Sequence, residues 1–184
     1  MNRLDTAIPE VCIIEVDRYT DARGYFMEAY NQREFARLGI TDVFVQDNQS
    51  FSKAKHSIRG IHFQMNPMAQ SKLVQVQSGA VMDLAVDLRR GSPTYLKWVA
   101  AELTADNNRM LYVPRGFGHG FLTLTDNVLF RYKVDAFYSA SCDRSIRYDD
   151  PQIAVNWECA HPLLSEKDAD APYLMHSDCN FVYE

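Results

Sequence analysis

Two histidines set the chemistry this sequence could carry. His62 stands in Arg59-Gly60-Ile61-His62-Phe63-Gln64, and His119 in Pro114-Arg115-Gly116-Phe117-Gly118-His119-Gly120-Phe121. Each lies in a short apolar run flanked by glycine, the pattern of a strand. Strands meeting in one barrel would bring both imidazoles to one cavity. An imidazole has an unperturbed pKa of about 6.5 and can take a proton near neutral pH. His62 therefore reads either as a general base or as a buried histidine donating to a backbone carbonyl. His119 reads as a ligand, a hydrogen-bond donor or a packed core residue. Lys72 shares strand parity with Val74 and Val76, so it either faces inward as a buried cation or snorkels out from a strand end. Tyr132 shares parity with Val128, Phe130 and Val134. It is a core tyrosine or a proton donor, and the second role calls for a nearby cation that lowers its pKa below about 10. These four side chains together describe a site that moves protons on and off carbon.

Carboxylates could orient the histidines. Asp83 and Asp87 share a strand face with Ala85, and a solvated face explains them equally well. Asp168, in Ser165-Glu166-Lys167-Asp168, has the composition of an ordinary surface acid. A metal is the rival to proton chemistry. The spacing Pro114-x-Gly116-x-x-His119 resembles the second short motif of the cupin superfamily, whose metal-binding members add an H-x-H pair and a glutamate. Here that stretch is His62-Phe63-Gln64, with one imidazole, which is a poor donor set for zinc or iron.

The elements that must position these groups are mostly strands. Val11-Cys12-Ile13-Ile14-Glu15-Val16 reads as the first, Asp21-Ala22-Arg23-Gly24 as a turn, and residues 25–30 as the second strand. Asn31 can cap a short helix, with Glu34 three residues on to complete a capping box and Gly39 at its natural stop. Strand signals dominate from Val43, at 71–77, 81–88, 95–103, 110–114, 117–124 and 127–135, with Asp106-Asn107-Asn108 and Thr125-Asp126-Asn127 as turns. Many short strands at this spacing predict a mainly β protein, an antiparallel sandwich or barrel with a few short helices. Beyond Asp149 the chain is turn-rich and is expected to wrap the outside.

The 184 residues fit one domain, 1–184, and the hydrophobic and charged fractions of 47% and 23% are those of a folded globular chain. A net charge of −5 argues against a nucleic-acid partner but leaves room for a local cationic site that binds a phosphorylated small molecule. Cys12, Cys142, Cys159 and Cys179 are far apart and form no C-x-x-C pair, so neither a zinc site nor a disulfide framework is expected. No signal-like or membrane-spanning stretch is present, which points to the cytoplasm.

The sequence closely resembles the dTDP-4-dehydrorhamnose 3,5-epimerase family, the dTDP-4-keto-6-deoxysugar epimerases of the cupin superfamily. The matching stretches include Asp21-x-Arg23-Gly24-x-Phe26-x-Glu28, Gln46-Asp47-Asn48-x-Ser50, Arg59-Gly60-x-His62-Phe63-Gln64 and Gln70-x-Lys72-Leu73-Val74. They continue through Asp83-x-x-Val86-Asp87-Leu88-Arg89, Gly91-Ser92-Pro93-Thr94, Pro114-x-Gly116-x-x-His119-Gly120-Phe121, Tyr132-Lys133, Asp149-Asp150-Pro151, Trp157 and Ser165-x-Lys167-Asp168. They run in order along nearly the whole chain.

The resemblance implies a cupin-type jelly roll that works as a homodimer without metal or organic cofactor on a nucleotide-diphosphate sugar, dTDP-linked. By it His62 is the catalytic base, Asp168 its partner, and Tyr132 the proton donor on the other face of the sugar. Lys72 and Arg59 lie near the keto oxygen and the diphosphate, and His119 contacts substrate. Arg23, Glu28, Gln46, Asn48 and Lys167 bind the nucleotide and phosphates, and Phe26 and Tyr138 stack on the base. Asp143, also expected to bind substrate, stands where the family usually has glutamate, Ser141 near a usual proline, Phe137 where tyrosine is frequent, and Tyr148 in place of tryptophan. Three of these four fall in 137–143, beside Tyr138, so sugar and nucleotide specificity is where this chain departs. An epimerase acting at one carbon only, a metal-dependent cupin enzyme and a non-catalytic sugar-binding barrel are the competing readings. One geometric demand follows from these implied roles. In a regular strand Arg59 and His62 point to opposite faces, so both reach one cavity only if the strand bends at Gly60.

Overall fold

The computed structural model describes residues 1–183. Its strands are β1 (Asn2–Asp5), β2 (Cys12–Glu15), β3 (Tyr19–Asp21), β4 (Gly24–Phe26), β5 (Gln46–Ser52), β6 (Ile58–Gln64) and β7 (Lys72–Ser78). They continue with β8 (Ala80–Asp87), β9 (Trp98–Thr104), β10 (Arg109–Val113), β11 (Phe117–Thr123), β12 (Val128–Val134) and β13 (Asp143–Ser145). Two short helices, α1 (Gln32–Arg37) and α2 (Glu166–Ala169), and a 3-10 turn at Leu174–His176 complete the elements. No helix among the described residues is long and apolar enough to cross a membrane.

The strands build two facing sheets. One has the order β1-β2-β10-β7-β12-β5, the other β13-β6-β11-β8-β9, and β3 and β4 form a separate hairpin. All these pairings are antiparallel. This is the double-sheet jelly roll that the strand pattern and the resemblance called for.

Strand parity decides what lies between the sheets. Val74, Val76, Leu111, Val113 and Phe130 from one inner face meet Val81, Ala85, Leu103, Phe117 and Phe121 from the other. Toward one end the same inward positions turn polar: Gln46, Asn48 and Ser50 on β5, Lys72 on β7, Tyr132 on β12 and His119 on β11. The interior is therefore dry at one end and an open polar cavity at the other.

The outer faces are covered too. Phe35 of α1, with Ile40, packs on Cys12, Ile14, Leu73 and Met110. The Asn31 side chain caps α1 by accepting from the Arg33 and Glu34 amides. The capping box does not close, because Glu34 pairs with Arg37 instead. The chain beyond Asp149 wraps the second sheet, as expected, and buries Ile153, Trp157, Leu174 and Phe181 on Ile58, Leu84 and Leu122. The strand expected over 25–30 stops at Phe26, and Met27, Ala29 and Tyr30 leave it to pack around α1.

The bend at Gly60 is present. His62 pairs with His119, but Arg59 pairs with Phe121, a shift of register within β6 and β11. Gly60 has φ of +134°, and a Cβ there would lie 2.5 Å from the Gly120 Cα. Only glycine allows the two backbones to approach this closely. The shift aims Arg59 and His62 into the same cavity.

Candidate active site

The cavity has a volume of about 360 Å³ and opens at the polar end of the jelly roll. Arg59, His62, Lys72, His119 and Tyr132 line it, together with Gln46, Asn48, Tyr138, Asp143 and Lys167. Ten of the fourteen residues expected at the site thus converge on one space. His62 enters on β6 and Tyr132 on β12, which belong to opposite sheets.

Asp168 does not line the cavity but stands directly behind it. Its Oδ1 lies 2.5 Å from His62 Nε2, and Ser165 Oγ donates to its Oδ2 at 2.8 Å. Ser165 is also the cap of α2, accepting from the Asp168 amide. The cap thereby fixes the helix turn and the carboxylate together. Asp168 is 3% exposed, so its reading as a surface acid is wrong. Burial opposes its ionisation, yet the His62 and Ser165 hydrogen bonds hold its pKa below the ordinary carboxylate value. With Nε2 engaged by a carboxylate, Nδ1 is the His62 nitrogen left for a substrate. The alternative reading of His62, as a donor to a backbone carbonyl, gives way to this pairing.

Lys72 is 7% exposed and does not snorkel. Its ammonium donates to the His62 carbonyl at 3.3 Å. Burial brings its pKa down to about 8, against the pull of Asp83 and Asp143. It remains largely protonated at pH 7. Tyr132 departs from expectation. Burial, aided by Asp143, raises its pKa, and Arg59 opposes this without prevailing. The phenol is therefore protonated at neutral pH, as a donor must be. The cation that was to lower its pKa is outweighed because the ring packs beside Phe130 against the core.

His119 is buried and hydrogen-bonded through Nε2 to Asp83 at 2.9 Å. Asp83 and Asp87 are both 0% exposed, which removes the solvated-face reading. They separate in role. Asp87 accepts from Arg89, Ser92 and Thr94 and ties down the turn after β8. Asp83 faces His119. Neither was recognisable from parity alone, because β8 is covered on both faces.

At the mouth, Lys167 pairs with Asp143 at 2.6 Å, and Tyr138 donates to the same carboxylate at 3.4 Å. The Tyr138 amide in turn donates to the Gln46 side chain. Arg59 is braced by Ser52 Oγ and the Phe51 carbonyl, both at 3.1 Å. Gln64, where metal-binding relatives of the fold place an imidazole, donates to Met68 and Phe137 carbonyls and accepts from Ser139. It holds the 137–139 loop. Among the described residues no three His, Cys, Asp or Glu side chains are grouped to hold a metal ion.

Three expected residues do not reach this cavity within the chain. Arg23 pairs with Asp21 at the tip of the β3–β4 hairpin. Phe26 is 70% exposed on the same hairpin. Glu28 accepts from Asn31 and faces a separate small pocket with Met1, Asp17 and Tyr19. Residues that sequence reasoning passed over include Ser50, Gln70, Phe121 and Phe130, which also line the cavity. Ser50 was legible from its parity with Gln46 and Asn48. The others carry no signal distinct from ordinary strand residues.

Comparison with known proteins places the chain in a family. Residues 5–176 match the family model described as dTDP-4-dehydrorhamnose 3,5-epimerase. A protein of that description from Sinorhizobium fredii is 47% identical over 179 residues, covering 96% of this chain and 91% of its own. The crystal structure of one from Bacillus anthracis, with TDP and PPi bound, superposes with a TM-score of 0.92 at 44% identity, covering 94% of this chain and 99% of that one. A Legionella pneumophila dTDP-6-deoxy-D-glucose-3,5-epimerase in complex with dTDP-4-keto-L-rhamnose gives a TM-score of 0.95 at 42% identity, covering 100% and 98%.

Proposed function

The chain belongs to the dTDP-4-dehydrorhamnose 3,5-epimerase family, and on that premise we propose that it inverts C3 and C5 of dTDP-4-dehydro-6-deoxy-D-glucose, giving dTDP-4-dehydro-L-rhamnose. The C3 and C5 hydrogens are both α to the C4 ketone, so each can leave as a proton. Such carbon acids lie many pKa units above an imidazole, and each unit of mismatch costs about 1.4 kcal/mol. A base alone is too weak, and the site must stabilise the enolate oxygen as charge develops there.

In this reading His62 Nδ1 removes the proton while Asp168 stabilises the imidazolium that forms. General-base catalysis of this kind contributes on the order of 10²–10⁴ in rate. Lys72 meets the enolate oxygen, and a preorganised cation in a water-poor site is worth roughly 3–4 kcal/mol. Tyr132 returns a proton to the opposite face of the carbon. The observation that carries the reading is the approach of His62 and Tyr132 to one cavity from opposite sheets. A base and an acid facing each other across one ring are what inversion requires.

The reading includes a homodimer. The β3–β4 hairpin exposes Tyr19, Tyr25 and Phe26, and the edge strand β5 exposes Phe51. A hairpin with this much apolar surface fits a partner of the same kind. A second copy is also the route by which Arg23, Phe26 and Glu28 could reach a nucleotide in a cavity that their own chain does not let them line.

The test is solvent exchange in heavy water with dTDP-4-dehydro-6-deoxy-D-glucose, followed by NMR. Deuterium is expected at both C3 and C5, and incorporation at one carbon only would refute double inversion. His62→Ala should abolish exchange. Tyr132→Phe should stop product formation while part of the exchange survives. Exchange undiminished in His62→Ala would remove His62 as the base.

A further inference from the structure

Asp83 takes no part in the proton transfer above, yet it is the most enclosed charge at the site. It is fully buried on β8, and only its Oδ1 is hydrogen-bonded, to His119 Nε2. Its Oδ2 has no hydrogen-bond partner among the described residues. A carboxylate oxygen left without a donor in dry surroundings is costly to keep. The charged and titratable groups facing the pair are few. His119 faces Asp83, Lys72 from β7 and His62 from β6. Asp83 faces His119 and Lys72, and Lys72 also faces Asp143 of β13 and Lys167 of α2.

We propose that Asp83 is a positioning residue with two effects: it locks His119 as the Nε2–H tautomer, so that Nδ1 accepts a hydrogen bond from a sugar hydroxyl, and it keeps Lys72 cationic opposite the enolate. The first effect follows from hydrogen-bond chemistry. Burial raises the pKa of Asp83, and the contact with His119 and the charge of Lys72 oppose that rise and favour the carboxylate. An ionised carboxylate can only accept, so Nε2 carries the hydrogen, and a neutral imidazole then has its lone pair on Nδ1. Burial lowers the pKa of His119 against the pull of Asp83, and Lys72 and His62 push the same way, so the ring is neutral. Its stacking against Phe130, with centroids 6.0 Å apart, keeps the ring in plane. A neutral His119 of this tautomer accepts from a hydroxyl and cannot donate to a ketone. The two cavity groups thereby divide the sugar: Lys72 takes the oxygen that becomes negative, and His119 recognises a hydroxyl that stays neutral.

The sugar hydroxyl and the second effect rest on the epimerase reading, and the tautomer itself does not. Asp83 is the charge that most opposes the deprotonation of Lys72, whose pKa burial has already brought to about 8.

The experiment has two arms. In the first, the ring nitrogens of uniformly 15N-labelled wild-type protein are observed by NMR between pH 6 and 8, and His119 is assigned by the signal lost in His119→Gln. The Nε2–H tautomer with an unprotonated Nδ1 is expected, and an Nδ1–H tautomer overturns the proposal. This arm needs neither substrate nor a variant at Asp83, so it decides the point even where Asp83→Asn does not fold or the epimerase reading fails. In the second arm, kcat/KM of Asp83→Asn is measured against pH. The alkaline limb is expected to move down by about one pH unit, the effect of deleting one facing charge. A loss of rate that is uniform in pH, with the limb unmoved, shows a purely structural role and overturns the claim on Lys72.

Discussion

Replacing Asp168 by asparagine changes one charge at nearly constant shape, and its consequences can be worked from the contacts of the carboxylate. Oδ1 faces His62 Nε2 and Oδ2 accepts from Ser165 Oγ. The asparagine amide can take either orientation there, since a serine hydroxyl donates or accepts equally well. With its oxygen toward His62 the tautomer survives, but a charge-assisted hydrogen bond becomes a neutral one. That difference is about 1–2 kcal/mol, roughly tenfold in rate, and it grows as His62 becomes an imidazolium. With its nitrogen toward His62 the amide donates to Nε2, the proton moves to Nδ1, and no lone pair is left for the substrate. The same exchange in the serine protease triad drops kcat by about 10⁴ through the wrong tautomer. Asp168→Asn should therefore lower kcat by about 10–10⁴ with KM changed by less than about threefold. The assay is the initial rate of deuterium incorporation at C3 and C5, with thermal unfolding as the control.

Stability should respond much less than rate. Burial of the carboxylate is itself unfavourable, so its removal is expected to cost about 1 kcal/mol at neutral pH. The depressed pKa of Asp168 sets the sign. The stabilising contribution of the carboxylate is fully present above the unfolded value of about 3.9 and is lost as pH falls through the lower folded value. The wild-type advantage should accordingly disappear in acid. A folded Asp168→Asn enzyme with kcat within threefold of wild type would refute the reasoning, and the pair would then be structural.

Other perturbations separate the remaining parts of the account. Because burial brings Lys72 down to about 8, the folded state binds fewer protons than the unfolded state between about pH 8 and 10.5. The stability of wild type relative to Lys72→Met should therefore climb by up to about 3 kcal/mol across that window in urea titrations, and parallel pH curves would contradict the buried cation. Gly60→Ala places a Cβ against the Gly120 backbone at φ of +134°. Strain and overpacking together should cost about 2–5 kcal/mol, and a loss under 1 kcal/mol in denaturant titrations would show that the close approach of β6 and β11 is dispensable. If the hairpin serves a partner's cavity, mixing inactive His62→Ala and Arg23→Ala subunits should restore about a quarter of wild-type sites, because half of random dimers are mixed and each has one intact site. No restoration after confirmed subunit exchange would place Arg23 in its own chain's chemistry or in none.

The sequence by itself determined whatever depends on local period and on single residues. Alternation put Lys72 in step with Val74 and Val76, and Tyr132 in step with Phe130, which set both on the inward face, while only the structure showed that Lys72 stays buried there. The demand that Arg59 and His62 share a cavity located the bend at Gly60, because a strand has a period of two and only glycine relieves it there. What the tertiary structure decided was which distant groups meet and in what surroundings. Asp168 lies 106 residues from His62 and carries no local mark of burial; the cap formed by Ser165 and the wrapping of the C-terminal segment bring it there. Asp83 and Asp87 share one strand face and one composition, yet one holds His119 from within the core and the other anchors a turn. The pKa of Tyr132 rises where a neighbouring cation suggested that it would fall, since desolvation sums over every atom packed around the phenol. Pairing and desolvation are properties of the assembled neighbourhood, and no window of sequence contains it.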